Sequence, residues 1–198
     1  MFVIGITGGT GAGKTSALDA LKELGALAID CDAVYHDLLL KSSELKAELE
    51  TRFGGVLLGN QIDRKILGQI VFNDPDALSD LNAITHKYVS AEIERQTTGW
   101  EEQGGKVAAI DAIALFESGR AEKCDITVGI TAPKEIRISR IMKRDGITLE
   151  QAEMRINAQK PDKFYEDNCD YMLEGKYETS EEFKKKCKAF FAEIIKAC

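Results

Sequence analysis

The sequence predicts an α/β fold: a five-stranded parallel sheet in a three-layer arrangement, carrying a helical insertion. Three observations predict it. Short apolar runs alternate with helix-period stretches, the pattern of a parallel sheet whose crossovers are helices. The long stretch between the second and third runs has helical pattern and no strand signal. A glycine-rich segment joins the first run directly to the first helix.

Phe2–Thr7 is the first strand, apolar and rich in β-branched residues. A helix follows from Lys14 to about Leu24, with Ala17, Leu18, Leu21 and Leu24 on one face and Gly25 to end it. Leu27–Asp30 is the second strand. Residues 33–103 then read as a helical insertion, with helices over Ala33–Leu40, Ser43–Phe53, Arg64–Phe72 and Asp76–Trp100. An open sheet has no structural use for so much helix at one crossover, and insertions of this kind cover ligands at the carboxyl ends of strands. Lys106–Asp111 and Asp125–Thr131 are two further strands, and Tyr171–Leu173 is a weaker fifth. Between the last two lies a polar region dense in Arg and Lys. Ser180–Lys196 is an amphipathic helix with Phe183, Cys187, Phe190, Phe191 and Ile194 inward. Its lysines 184, 185, 186 and 188 interleave with that stripe, which makes them a solvated face. With no repeat or linker, residues 1–198 read as a single domain.

Composition narrows the function classes. A chain of 198 residues with 44% hydrophobic and 30% charged residues supports one substantial core. The net charge of −7, from 26 basic and 33 acidic residues, argues against nucleic acid and anionic membrane as partners, so a polyanionic ligand needs a local basic site. The N-terminus lacks the features of a secretory peptide, and no apolar stretch reaches membrane-spanning length, so a cytoplasmic location is expected. The five cysteines, at 31, 124, 169, 187 and 198, show no metal or disulfide spacing and read as reduced thiols. A monomer or weak homo-oligomer is the expected assembly.

Gly8-Gly9-Thr10-Gly11-Ala12-Gly13-Lys14-Thr15 matches G-x-x-x-x-G-K-[ST] in full, after a strand and at the start of a helix. Such a loop turns its amide N–H groups toward a phosphate, and the helix dipole points at the same place. The fold class is therefore that of the P-loop nucleoside triphosphate hydrolases, and ATP with Mg²⁺ is the expected ligand. Gly8, Gly11, Ala12, Gly13, Lys14, Thr15 and Ser16 are the candidate nucleotide contacts. Lys14 would reach the β- and γ-phosphates and Thr15 would place its hydroxyl on Mg²⁺. Asp30 and Asp32, separated by Cys31, follow the second strand. Two carboxylates there sit beside the glycine loop if the two strands are neighbours, and residues i and i+2 off a strand point the same way. One can hold Mg²⁺ through water, Asp30 being the candidate, and the other can accept the proton of an attacking hydroxyl. An aspartate capping the next helix would explain one of the two. Asp111 ends the third strand, where a metal-associated carboxylate and a structural cap fit equally. Arg137, Arg140 and Arg144 lie at helical spacing after the fourth strand. Arginines there can clamp transferring phosphates, with Arg137 read as part of a surface salt-bridge face.

With these elements in place the chain resembles the dephospho-CoA kinase family over nearly its whole length. The resemblance rests on Ile6–Thr15, Asp30-Cys31-Asp32, Ile62–Leu67, Val71–Asp74, Leu81–His86, Leu115–Gly119 and Arg155–Gln159. It implies transfer of the ATP γ-phosphoryl group to the ribose 3′-hydroxyl of dephospho-CoA, on a kinase core with a helical acceptor-binding insertion and a lid over residues 140–168. It implies that Asp32 is the catalytic base, assisted by Lys14 and Arg140, and that Arg144 closes over the nucleotide. It puts Thr7, Asp32, Arg64, His86 and Gln159 against the substrate. The chain departs from the family at Lys87, where proline is usual after His86, and at Ile113-Ala114 before Leu115-Phe116-Glu117. It also departs after Gln159 and at Gly175, where an asparagine is usual near the last strand; the carry-over stops at Lys163. Other small-molecule kinases of the nucleoside monophosphate or shikimate type share such a phosphate site, and the length of the insertion and the His86 region favour dephospho-CoA. A GTPase-like switch would carry an Asn-Lys-x-Asp segment after a strand, and the sequence has none.

Overall fold

The computed structural model describes residues 1–177 and 179–196. The Cys198 thiol lies outside them. Along the chain run β1 (Phe2–Thr7), α1 (Lys14–Glu23), β2 (Leu27–Asp30), α2 (Cys31–Lys41), α3 (Ser43–Phe53), β3 (Leu57–Leu58), β4 (Gln61–Ile62), α4 (Arg64–Phe72) and α5 (Pro75–Glu102). They are followed by β5 (Val107–Asp111), a 3₁₀ turn at Arg120–Lys123, β6 (Ile126–Thr131), α6 (Lys134–Asp145), α7 (Leu149–Asn157), α8 (Asp162–Asn168), β7 (Tyr171–Glu174) and α9 (Ser180–Lys196). The chain forms two compact units, residues 1–29 with 100–198, and residues 30–99.

In the first unit the five-stranded parallel sheet has the order β2-β5-β1-β6-β7. Ile6 stands opposite Asp111 on one side and Val128 on the other. β1 and β2 are thus not neighbours. The expectation that adjacency brings Asp30 and Asp32 beside the glycine loop gives way to a sheet in which β5, ending in Asp111, is the strand beside β1.

The apolar faces read from the sequence close this unit. Ala17, Leu18, Ala20 and Leu21 of α1 pack with Phe183, Cys187 and Phe191 of α9 and with Ile4, Ile6, Val128 and Ile130 of the sheet. Each large side chain buried this way contributes about 1.5–3 kcal/mol. The Gly25 N–H donates to the Lys22 carbonyl at 2.9 Å and the Ala26 N–H to Leu21 at 3.0 Å, so α1 ends where Gly25 predicts. The α9 lysines are not all free on solvent: Lys184 and Lys188 both reach the Glu23 carboxylate on α1, at 2.9 and 2.8 Å. Cys31, Cys124, Cys169 and Cys187 are thiols, and burial pushes Cys124 and Cys169 up to about 11 and Cys187 to about 12.

The second unit buries Leu39, Leu45, Leu49, Val56, Leu67, Val71 and Ala77 against Tyr35, Leu38, Phe53 and Tyr88. Its helices start on side-chain caps: Ser42 Oγ accepts the Leu45 N–H, and Asp63 Oδ1 those of Lys65 and Ile66. The insertion is not free of strands, as the sequence pattern suggested. β3 and β4 form an antiparallel hairpin, Leu57 opposite Ile62, turned at Gly59-Asn60 with Gly59 at φ 63°. Glu50 fixes its entry by accepting N–H bonds from Gly55, Val56 and Leu57 at 2.8–2.9 Å. Those bonds hold its carboxyl below the usual range.

Candidate active site

The glycine loop wraps as its sequence requires. Gly8, Gly11 and Gly13 all have positive φ, and Gly13 is the N-cap of α1. The first turn of α1 carries no acidic residue, so nothing there competes with an anion for its N–H groups. Lys14 reaches back across the loop, its Nζ donating to the Gly8 carbonyl at 2.9 Å. Thr15 is exposed on the first turn, Ser16 is half-buried beside it, and Ala12 is buried beneath the loop. A Mg²⁺ ion that arrives with a nucleotide takes one or two protein oxygens and fills the rest of its shell with phosphate and water. Thr15 offers a hydroxyl of that kind on the exposed first turn of α1, so the residues present fit both groups.

Three arginines of α6 converge on the loop. Arg140 donates to the carbonyls of Gly11 and Ala12 at 3.2 and 3.4 Å, and its other terminal nitrogen to those of Gly175 and Tyr177 at 2.8 and 3.4 Å. Expected to clamp transferring phosphates, it grips the loop's backbone. Burial lowers its pKa, the sign of a guanidinium partly stripped of water. Arg144 donates to Thr10 Oγ1 at 3.4 Å while pairing with Asp145 at 2.7 Å, and Arg155 bonds the same carboxylate. Asp145 is held below the ordinary carboxylate range by Arg144 first.

Arg137 corrects the sequence reading most. In place of a surface salt-bridge residue there is a buried arginine, only 4% exposed. Its Nε donates to the Thr10 carbonyl at 2.9 Å, and its terminal nitrogens to Gln159 Oε1 at 3.0 Å and Asp162 Oδ1 at 3.3 Å. A Cβ added to Gly9 would stand 2.1 Å from that guanidinium, so the absent side chain is what admits it. Gln159 also accepts the Thr10 N–H at 2.8 Å. Thr7 is fully buried, and its hydroxyl donates to the Ile113 carbonyl at 3.2 Å, tying the end of β1 to the segment after β5. Gly175, where an asparagine was expected, meets a different demand: a Cβ there would lie 2.3 Å from the Ala12 carbonyl oxygen.

A cavity of about 330 Å³ opens between Ile113, Ala114, Glu117, Gln159, Lys160 and Tyr165. Lys160 faces Glu117 at 4.0 Å and lies over the Phe164 ring, which meets Phe116 edge to face.

In the helical unit the two aspartates differ in their bonding. Asp30 is the N-cap of α2, its Oδ1 accepting the N–H groups of Asp32 and Ala33 at 2.9 and 3.1 Å. The helix begins at Cys31, so strand parity does not align the two carboxylates. The Asp32 carboxylate is exposed on the first helical turn and accepts no hydrogen bond from any described residue. Arg64 heads α4, exposed, and its charge opposes the rise that burial imposes on the Tyr35 hydroxyl. His86 is half-buried midway along α5.

Comparison with known proteins adds a family. A family model described as dephospho-CoA kinase matches residues 2–181. The chain is 36% identical over 162 residues to a dephospho-CoA kinase of Moorella thermoacetica, covering 80% of this chain and 76% of that one. It is 37% identical over 164 residues to one of Dehalococcoides mccartyi, covering 82% of each. Among solved structures, a dephospho-CoA kinase from Campylobacter jejuni superposes with a TM-score of 0.71 at 27% identity, over 98% of both chains. A shikimate kinase from Bacteroides thetaiotaomicron, 12% identical with a TM-score of 0.57 over 98% of both chains, shares the fold.

Proposed function

The chain belongs to the dephospho-CoA kinase family, and from that membership we propose that it transfers the γ-phosphoryl group of ATP to the ribose 3′-hydroxyl of dephospho-CoA, forming coenzyme A and ADP. The observation that carries this reading is the span of the family match, which takes in both the complete glycine loop and the helical unit. A shared phosphate loop alone reports the donor and not the acceptor.

Phosphoryl transfer asks a protein for positioning and for electrostatic stabilisation more than for covalent chemistry. On the donor side, Gly8, Gly11, Ala12, Gly13 and Ser16 present backbone around the phosphates, and Lys14 supplies a cation to the β- and γ-oxygens. Mg²⁺, held by Thr15 and phosphate oxygens, would neutralise charge on the transferring group. Arg140 contributes through the loop carbonyls it holds, and Arg144 adds positive charge at Thr10. Thr7 acts at one remove, by fixing the segment at Ile113.

On the acceptor side, residues 33–103 hold dephospho-CoA, with Arg64 and His86 as contacts, and residues 140–168 act as the lid. Asp32 orients the attacking hydroxyl and takes its proton. Its unengaged carboxylate supports that assignment, whereas Asp30 is committed to the helix cap. The water-mediated Mg²⁺ role expected for Asp30 gives way to that cap in this reading. An enzyme that couples ATP to coenzyme A synthesis fits the cytoplasm, and no helix among the described residues is long and apolar enough to cross a membrane.

The test is ADP release by the purified chain with dephospho-CoA, set beside nucleoside monophosphates and shikimate. Turnover confined to dephospho-CoA is expected. Faster turnover of another acceptor would overturn the assignment.

A further inference from the structure

Every polar group of Thr10, in the middle of the glycine loop, is held by a residue of the 137–159 segment. Its N–H donates to Gln159 Oε1 at 2.8 Å, its carbonyl accepts from Arg137 Nε at 2.9 Å, and its hydroxyl accepts from Arg144 at 3.4 Å. Arg137 stands at the centre of this arrangement. One buried guanidinium bonds the loop backbone, the side chain that caps the neighbouring amide, and Asp162 at the start of α8. The backbone of α6 itself comes against the loop, since a Cβ on Gly11 would lie 2.8 Å from the Arg137 carbonyl oxygen.

A loop with glycine at four of its first six positions is not rigid by itself, because glycine has the most backbone freedom to lose. Catalysis by oriented amides requires that freedom to be removed before the nucleotide is bound. We propose that Arg137 is a positioning residue for phosphoryl transfer: with Gln159 it latches the peptides on both sides of Thr10 and so sets the shape of the phosphate loop from the 137–159 segment. The proposal rests on the reading that this loop holds ATP. Lysine cannot replace the arginine, since a single ammonium lacks the planar fork that meets the Thr10 carbonyl, Gln159 and Asp162 together. Removing the guanidinium leaves the Thr10 carbonyl and the Gln159 oxygen without it.

The experiment is steady-state kinetics on the full chain carrying Arg137→Lys, Gln159→Leu or both, with ATP and dephospho-CoA varied separately and folding followed by circular dichroism. Each single variant is expected to lose at least about tenfold in kcat/KM for ATP, the worth of one charge-assisted hydrogen bond. The KM for dephospho-CoA should stay within about twofold, and the double variant should fall little below the worse single one, because both act through Thr10. A folded Arg137→Lys chain with wild-type kcat/KM for ATP overturns the latch. So does a fall in melting temperature with unchanged kinetics of the folded fraction, the mark of a purely structural role. If Arg137→Lys fails to fold, Gln159→Leu decides alone. Absence of wild-type turnover would sink the kinase assignment instead, and titration with a fluorescent ATP analogue would then read the latch directly: weakened binding in the variants supports it, and equal binding overturns it.

Discussion

Arg140 donates from one terminal nitrogen to the Gly175 carbonyl at 2.8 Å while the other donates to Gly11 at 3.2 Å, so a single side chain joins the β7–α9 segment to the glycine loop. Arg140→Ala strands these half-buried carbonyls. Hydrogen bonds from a charged donor contribute about 1.5–3 kcal/mol, so the variant should unfold at lower denaturant and show a raised KM for ATP. An unchanged unfolding midpoint with normal ATP affinity contradicts the clamp.

Lys14→Ala removes the loop cation proposed to follow charge onto the transferring phosphoryl group. Its kcat should fall at least about a hundredfold, while circular dichroism and melting temperature stay near wild type. Wild-type turnover in a folded variant would remove the loop from the mechanism.

Arg64 and His86 belong to the helical unit, and the glycine loop to the sheet unit. Arg64→Ala and His86→Ala are therefore expected to raise the KM for dephospho-CoA or lower kcat, with little change in ATP affinity by titration. Loss of ATP binding in both variants would place them on the donor side.

Much of this was legible in the sequence because strand, helix and loop each left a local signal. The β1 run, the Gly-Lys-Thr motif and the α9 stripe specify their elements without reference to the rest of the chain. The β3–β4 hairpin went unread because its strands are two residues long, too short for alternation to register, although Gly59-Asn60 is a turn pair that marks it. Asp30 and Asp32 were read as strand-end partners, whereas the chain turns helical at Cys31 and Asp30 becomes the cap. Arg137 was misread for a deeper reason. Helical spacing groups it with Arg140 and Arg144, but only the packing of α6 against a side-chain-free Gly9 shows that the guanidinium is buried.

Glu23 gives a prediction about pH. Hydrogen bonds first from Lys188 and then from Lys184 hold its carboxyl at about 2 against an ordinary 4.5. A depressed folded-state pKa adds stability that is whole above about pH 4.5 and disappears as the pH falls toward 2. Glu23→Gln should therefore melt slightly below wild type at pH 7, with the gap closing as the pH falls toward 2. The group is exposed, so added salt should shrink the gap as well. A difference independent of pH would show that this α1–α9 ion pair does not stabilise the fold.

The proposed division of labour between the two aspartates is the central claim about mechanism. Asp32→Asn keeps the shape of the side chain and loses its basicity, and a general base contributes about 10²–10⁴-fold, so kcat with dephospho-CoA should fall within that range. ATP affinity should change far less. Asp30→Asn is the control, since asparagine caps a helix about as well as aspartate and preserves the bonds to the Asp32 and Ala33 N–H groups. The measurement is kcat for both variants at saturating ATP and dephospho-CoA, repeated at raised Mg²⁺. Collapse of kcat in Asp32→Asn, unrelieved by Mg²⁺, with Asp30→Asn close to wild type, is the predicted result. Near-normal kcat in Asp32→Asn, or an Asp30→Asn loss that Mg²⁺ partly restores, would contradict it.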